Sequence, residues 1–277
     1  MLKDITVHVD AGRANGARVD VACALAKAQG ARLVGVFVIT PPDIPPYLES
    51  QVGNEVIEAQ HENARAEAHA AKAVFEKAAA GMGVEHEWRI TEGITADVLA
   101  QHVRYSDMIV VGQNDPDERL FTGGGAMPDE LIMGAGRPVL VVPYVGGYPT
   151  VGSHVMIAWD ASVQAARAVK DSLDILRQAQ RVSVMVINPD SNAAGGNPLP
   201  GADLATYLAR HGITVDAQHI NASDIDPANM LLSRAADEGI DLMVMGAYGH
   251  ARWREIVMGG VTREFLLHMT MPVLMAH

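Results

Sequence analysis

Apolar and polar positions alternate along the chain in a way that predicts short buried strands separated by amphipathic helices. The apolar runs are rich in β-branched residues and bounded by Gly, Asp or Pro, as strands of a parallel sheet are. The predicted strands are 5–9, 33–39, 84–90, 108–112, 138–142, 155–159, 182–187, 213–219, 242–245 and 273–276. The predicted helices are 14–29, 47–80, 96–105, 128–135, 163–180, 201–211, 228–238 and 261–269. Gly30 and Gly81 occupy expected helix C-cap positions.

The two halves of the chain repeat one plan. The stretch 107–112 matches 241–246, and 137–143 matches 271–277, both at an offset of 134. The starts of the halves also agree, because 5–10 matches 155–160 at an offset of 150. We therefore predict two domains, 1–146 and 147–277, joined by a turn-rich linker. In each, five strands alternating with four helices predict a doubly wound parallel α/β sheet.

Composition narrows the range of functions. The chain has 277 residues, of which 49% are hydrophobic and 19% charged, so a large core can be buried. Its formal net charge of −12 predicts that it binds no nucleic acid. No apolar run is long enough to span a membrane, and the single cysteine, Cys23, is typical of a reducing compartment. We expect a cytoplasmic protein with no membrane association.

The predicted ligand crevice lies beyond the carboxyl ends of strands one and four of each half. Asp10 and Asp160 follow the first strands, where a carboxylate either accepts hydrogen bonds from a ribose diol or caps the next helix. After strand four of the second half, Gly246, Gly249, Gly259 and Gly260 free backbone amides before a helix N-terminus, which favours an anion. Such glycines can equally serve only to build a turn. His250 and three arginines against one glutamate, Glu255, make this segment basic; the arginines are Arg252, Arg254 and Arg263.

The spacing Gly246-x2-Gly249-x9-Gly259, together with the preceding strand and the closing Pro272-Val-Leu-Met, resembles the nucleotide-binding signature of the universal stress protein family. The resemblance covers both halves. It implies the adenine nucleotide alpha hydrolase-like fold and ATP or another adenine nucleotide as ligand, with or without Mg²⁺. It also implies that the last strands, 138–142 and 273–276, pair and make the chain an internal pseudo-dimer, which leaves further homo-oligomerisation open. The implied binding residues are Asp160, Ile187, Asn188, Gly246, Gly249, His250, Arg252, Gly259, Gly260, Val261 and Thr262.

Two departures from the family pattern affect this prediction. ATP-binding members usually carry Ser or Thr where this chain has Gly260, and one lost hydrogen bond weakens affinity by about tenfold at most. The first half departs further, because Asp115 replaces Gly249 and Asp129 replaces Arg263 at an offset of 134. Pro116 and Pro128 also remove two amide donors there. We predict that the first domain does not bind a nucleotide in the manner of the family.

Three functional hypotheses follow. The leading one is a stress-response protein whose second domain binds an adenine nucleotide as a regulatory ligand, with an unknown protein partner. The protein is then not an enzyme, apart from slow, incidental ATP hydrolysis, and no metal or hydrolase constellation is present in the sequence. The alternative is a tandem stress protein that binds no nucleotide and acts as an interaction or small-ligand module. An adenylating α/β enzyme is disfavoured, because its His-containing phosphate motif after strand one is absent. Trp253 either covers a ligand or packs between the halves, and His8 is expected to be a satisfied core residue.

Overall fold

The computed structural model describes residues 1–41, 54–117, 127–187, 201–221, 226–249 and 260–277. The chain divides into two compact units, Met1–Arg137 and Pro138–His277, referred to below as unit 1 and unit 2. No helix in these ranges is both long and apolar enough to cross a membrane.

Unit 1 contains a parallel sheet in the strand order β3-β2-β1-β4. Its elements are β1 (Asp4–His8), α1 (Asn15–Gln29), β2 (Arg32–Ile39), α2 (Asn54–Met82), β3 (His86–Glu92), α3 (Thr95–Val103), β4 (Met108–Gly112) and α4 (Met127–Gly134). Helix α2 packs closely on the sheet, because a Cβ at Gly35 in β2 would lie 2.9 Å from the ring of Phe75. The opposite face of α2 is exposed and carries charges of both signs, among them Glu62, Arg65 and Glu67.

Unit 2 contains a sheet in the strand order β5-β10-β9-β6-β7-β8. Its elements are β5 (Val139–Val142), β6 (His154–Ala158), α5 (Val163–Leu176), β7 (Arg181–Ile187), α6 (Ala202–Arg210), β8 (Asp216–Ile220), α7 (Pro227–Asp237), β9 (Leu242–Gly246), α8 (Gly260–His268) and β10 (Val273–Ala276). All of its strand pairs are parallel except β5 with β10, which is antiparallel with Val141 opposite Val273. The last strand of the first sequence repeat therefore belongs to unit 2, and the predicted pairing of the two last strands is confirmed.

An aspartate before the fourth strand of each repeat fixes the start of the first strand in the same way. Asp107 accepts hydrogen bonds from the backbone N–H groups of Lys3 and Asp4, at 2.5 and 3.0 Å. Asp241 accepts from the N–H groups of 152, 153 and 154, at 3.0, 3.2 and 2.9 Å. The two aspartates are 134 positions apart, so the repeat inferred from sequence is also a repeat of hydrogen bonding.

The structure corrects three element boundaries. Gly81, the predicted C-cap, lies inside α2; Gly83 instead ends the helix with a φ of +70°, and Val84 donates back to Ala79. Helix α5 ends at Leu176, because Gln180 N–H donates to Ser153 beside β6 and the segment before it turns. Strand β8, the third strand of the second repeat, begins at Asp216 rather than at 213.

Candidate functional site

In unit 2 the order of strands along the sheet reverses between β6 and β9, and a ligand crevice is expected beyond their carboxyl ends. The residues that directly follow β6 and β9 lie at this edge. Ala158, the last residue of β6, and Trp159 are partly exposed, and Asp160 is exposed. This edge of the described chain is therefore accessible at the position where a nucleotide was predicted.

Asp160 and Ser162 build the turn between β6 and α5. The Asp160 carboxylate accepts a hydrogen bond from Ser162 N–H at 3.0 Å, which is an Asx turn. Ser162 caps α5, because its Oγ accepts from Ala165 N–H at 3.1 Å. Asp160 was predicted either to bind a ribose or to cap the helix; in the structure Ser162 is the residue that caps the helix. Ala161 between them has a φ of +61°, a conformation that costs an alanine about 1 kcal/mol or more.

Gly246 and Gly249 both lie against the start of α5. A Cβ at Gly246 would overlap the backbone of Ala165, so glycine is required there for strand and helix to approach. A Cβ at Gly249 would lie 3.0 Å from Gln164 Oε1 and 3.2 Å from Ser162 Oγ. The structure therefore gives Gly246 a packing role, and it places Gly249 beside two polar side chains at the mouth of the crevice.

The loop after β9 is tied to the first turn of α8. Tyr248 has a φ of +57°, and its N–H donates to Thr262 Oγ1 at 3.3 Å. The Thr262 side chain is buried, so it positions the loop, whereas the predicted role was direct contact with a ligand. Gly260, the first residue of α8, is exposed and has open space where a Cβ would lie. Together with Val261 it presents first-turn amides and the positive end of the helix dipole.

The structure brings together Asp160, Gly249, Gly260, Val261 and Thr262 through the contacts above. Ile187 is the last residue of β7, the strand next to β6 in the sheet, and it pairs with Ile220 of β8. The predicted residues outside the described ranges are Asn188, His250, Arg252 and Gly259, together with Trp253. Sequence reasoning missed Gln164, which its position four residues after Asp160 could have indicated.

The matching edge of unit 1 is filled by a buried arginine. Arg18 on α1 is 4% exposed, and its Nη2 lies 2.8 Å from Asp10 Oδ1 and 3.1 Å from Asn15 Oδ1. Its guanidinium also lies against Gly112, the last residue of β4, so that a Cβ there would overlap it. The Asp10 carboxylate accepts from Gly12 N–H at 2.9 Å, which repeats the Asx turn of unit 2.

Charge at this edge of unit 1 is balanced internally. Burial by itself would raise the pKa of Asp10, but the Arg18 guanidinium, with a smaller effect of His8, outweighs it and lowers the pKa to about 2. Burial lowers the pKa of His8 to about 4, so that its imidazole is neutral at pH 7. The prediction that His8 is a satisfied core residue is half right: it is buried, but its Nδ1 has no hydrogen-bond partner in the described chain.

A second arginine holds the loop after β4 of unit 1. Arg13 Nε lies 2.6 Å from Asp115, and its Nη2 lies 3.0 Å from Asp117. Asp115 is 4% exposed in its side chain, and it also accepts from Asp117 N–H at 3.0 Å. Asp115, one of the acidic residues predicted to disfavour phosphate in the first domain, is therefore paired with an arginine of the same unit.

The two crevices differ at two positions related by the offset of 150. His8 and Arg18 of unit 1 correspond to Ala158 and Ala168 of unit 2. Alanines therefore stand where unit 1 has an imidazole and a guanidinium, and these two positions supply no counterpart of Arg18 in the described part of unit 2. Comparing the halves at this offset would have found the difference from sequence. In neither unit do the described residues include three or more His, Cys, Asp or Glu side chains grouped to hold a metal.

Comparisons with known proteins agree with the two-unit architecture. Residues 1–143 and 153–277 each match the model of the Universal stress protein family. The Universal stress protein Slr1230 of Synechocystis sp. is 27% identical over 191 residues, which are 66% of this chain and 62% of that protein, so the match spans less than two thirds of the relative.

Two solved structures share the fold over nearly the whole chain. A universal stress protein from Archaeoglobus fulgidus DSM 4304 superposes with a TM-score of 0.75 and 13% identity, covering 99% of this chain and 97% of its own. A putative universal stress protein from Pseudomonas aeruginosa UCBPP-PA14 gives a TM-score of 0.59 and 14% identity, with coverages of 99% and 93%. The predicted tandem α/β fold is confirmed.

Proposed function

The chain belongs to the universal stress protein family, and from that premise we propose that unit 2 binds an adenine nucleotide as a regulatory ligand. The observation that carries the proposal is the edge where Asp160 follows β6 and Gly249 lies against Ser162 and Gln164 at the start of α5, with alanines at positions 158 and 168 in place of His8 and Arg18. The exposed Asp160 carboxylate has the chemistry to accept hydrogen bonds from a ribose diol. The first-turn amides of α8 and the side chain of Arg263 suit the phosphates.

The nucleotide acts as a signal in this proposal. Its binding stabilises the conformation in which the loop after β9 and α8 are held together, and it shifts that equilibrium by its differential affinity for the two states. Hydrolysis of ATP is at most slow and incidental. We expect unit 1 to bind no nucleotide, because Arg18 occupies the corresponding edge and the loop after β4 carries two carboxylates, Asp115 and Asp117, against the single cation of Arg13.

The first test is direct. Freshly purified protein is denatured and released nucleotide is measured by mass spectrometry, followed by calorimetry with ATP, ADP, AMP and cyclic AMP. We expect one nucleotide site per chain and protection from hydrogen exchange at 246–249 and 260–262. A chain that carries no nucleotide, gives no heat with any of the four and shows unchanged exchange at millimolar ATP supports the alternative, an interaction module in which the glycines are structural.

Variants of Gly249 separate charge from steric effects. Gly249→Asp places a carboxylate where the first repeat has Asp115, and repulsion from phosphate should weaken ATP binding by about 100-fold or more. Gly249→Ala adds only a methyl group 3.0 Å from the flexible Gln164 side chain, so its effect should be much smaller.

A matched control has the same charge change far from the crevice. Gly147 is exposed, has open space for a Cβ, and lies between β5 and β6. Because β5 is antiparallel to β10, this connection is at the amino-end edge of the parallel strands, opposite the crevice. Gly147→Asp should leave ATP affinity unchanged. Equal losses for Gly249→Asp and Gly147→Asp would refute the assignment of the site.

A further inference from the structure

The carboxyl-end edge of unit 1 has the features of a binding site that is already occupied. The guanidinium of Arg18 lies between Asp10, which follows β1, and Gly112, which ends β4. This is the point where the strand order of unit 1 reverses, the place in an open α/β sheet where a ligand normally binds. A side chain of the protein therefore stands where a ligand would.

The contacts of Arg18 are those of a recognised cation. The Asp10 carboxylate lies 2.8 Å from Nη2, and Asn15 Oδ1 accepts from the same nitrogen at 3.1 Å. Asn15 Oδ1 also accepts from Asp10 N–H at 3.3 Å, so it fixes the backbone of Asp10 and the guanidinium together. The arginine is 4% exposed, whereas the Asp10 side chain is 37% exposed, so the cation is enclosed while its carboxylate partner still reaches water.

Two buried nitrogens at this cluster have no hydrogen-bond partner among the described residues, namely Arg18 Nε and His8 Nδ1. Natural cores leave few such groups, and each carries a desolvation cost. An arginine that only filled space could be replaced by an apolar side chain at no cost, as Ala168 replaces it at the corresponding position of unit 2. The presence of a buried arginine at position 18, with its Nε unpaired, is explained if Asp10 requires a cation.

We propose that Arg18 is a built-in guanidinium ligand of unit 1, which occupies the crevice in the place of an external ligand and leaves, when removed, a site for guanidinium cations. The emptied crevice keeps the carboxylate of Asp10 and the amide oxygen of Asn15, both acceptors for a planar cation. It also keeps the acidic loop of Asp115 and Asp117, which disfavours an anion. This inference concerns unit 1 and does not depend on nucleotide binding by unit 2.

Chemical rescue tests the proposal on the full chain. Arg18→Ala leaves the Asp10 carboxylate without its partner, and the melting temperature should fall on the order of 10 °C. Methylguanidinium at about 10 mM should raise the melting temperature of Arg18→Ala by a few degrees through binding to the folded state, and it should leave that of the unsubstituted chain unchanged. Methylammonium and sodium chloride at the same concentration should not produce this rise, since neither offers the planar fork of donors.

Arg13→Ala is the matched control, because Arg13 pairs with two carboxylates of unit 1 but its side chain is 54% exposed. The guanidinium of Arg13 is exposed rather than enclosed, so we expect no rescue by methylguanidinium, although the melting temperature should fall because the buried Asp115 carboxylate loses its partner. ATP is the competing ligand for Arg18→Ala, and the proposal predicts no second nucleotide site per chain.

Three results would overturn the proposal. They are equal responses of Arg18→Ala to methylguanidinium and methylammonium, equal rescue of Arg13→Ala, and stabilisation of the unit 1 crevice by ATP in place of guanidinium. If Arg18→Ala does not fold unaided, the yield of folded protein on refolding is compared with and without methylguanidinium. A higher yield with methylguanidinium supports the proposal, and an unchanged yield contradicts it. Arg18→Lys provides a further measurement: it keeps the charge but loses the fork, so it should be less stable than the unsubstituted chain.

Discussion

Replacing Gly260 by serine restores the hydroxyl that ATP-binding members of the family usually carry and should strengthen ATP binding. The structure gives the substitution room, because a Cβ at Gly260 meets nothing within 4 Å and the residue is exposed. The backbone at 260 is already helical, so no positive φ has to be given up. A serine hydroxyl at this position lies in the same helical turn as the amide of Val261.

The expected gain is that of one hydrogen bond. A net contribution of about 0.5–1.5 kcal/mol corresponds to an affinity about 2- to 12-fold tighter. Serine also replaces glycine in a helix, which stabilises the folded chain by a few tenths of a kcal/mol or more regardless of ligand. Gly260→Ala shares that backbone effect without the hydroxyl, so the comparison of Ser with Ala isolates the hydrogen bond.

Calorimetry with ATP, AMP and adenosine on both variants decides the question. Gly260→Ser should bind ATP more tightly than Gly260→Ala, and the two should bind adenosine equally, because adenosine has no phosphate. A serine variant that merely melts at a higher temperature, with the same ATP affinity as the alanine variant, would show that the hydroxyl caps its own helix. The reasoning would then be refuted, since the first turn of α8 would not face the phosphates.

Three further predictions concern stability. Burial lowers the pKa of His8 from 6.5 to about 4, so between these pH values the unfolded chain binds a proton that the folded chain does not. The free energy of unfolding should therefore decrease by about 2–3 kcal/mol from pH 7 to 4.5. Urea titrations of His8→Gln should show a smaller decrease. Gly246→Ala should cost about 2 kcal/mol or more, seen as a lower melting temperature, since its Cβ overlaps the backbone of Ala165; a neutral result would contradict the packing role. Asp241→Asn should lower the free energy of unfolding by about 2 kcal/mol in the same assay, because one amide oxygen cannot replace two carboxylate oxygens that accept from three N–H groups. The control Asp237→Asn, at an exposed position, should leave stability unchanged.

The fold could be predicted from sequence because its determinants are repeated and local. Each buried strand is a short apolar run, and the match of the stretch from Asp107 with that from Asp241 predicts the tandem plan from sequence alone. Helix ends were harder. Gly81 and Gly83 are both candidates for the end of α2, and only the tertiary contact that returns Val84 to the sheet selects the second.

The candidate site could be predicted only in part. The positions of Asp160, Gly249 and Gly260 follow from the strand order, since residues after parallel strands meet at one edge of the sheet. The role of Thr262 could not be predicted from sequence, because the sequence pattern is the same whether a first-turn hydroxyl contacts a ligand or the backbone of Tyr248. Arg18 was missed since its side chain reaches the crevice from the second turn of α1, away from the loop motif.

The difference between the two units shows why tandem repeats can specialise without losing their fold. The buried strands β1 and β6 supply apolar area to their sheets, and Asp107 and Asp241 secure their starts in the same manner. Arg18 of unit 1 and Ala168 of unit 2 lie on the first helix of each repeat, outside these strands, so a substitution there changes what lies at the carboxyl-end edge while the sheet persists. In unit 1 the arginine pairs with the first-strand aspartate from within the unit. In unit 2 an alanine stands at the corresponding position, and the exposed Asp160 is the residue that we propose meets a ligand.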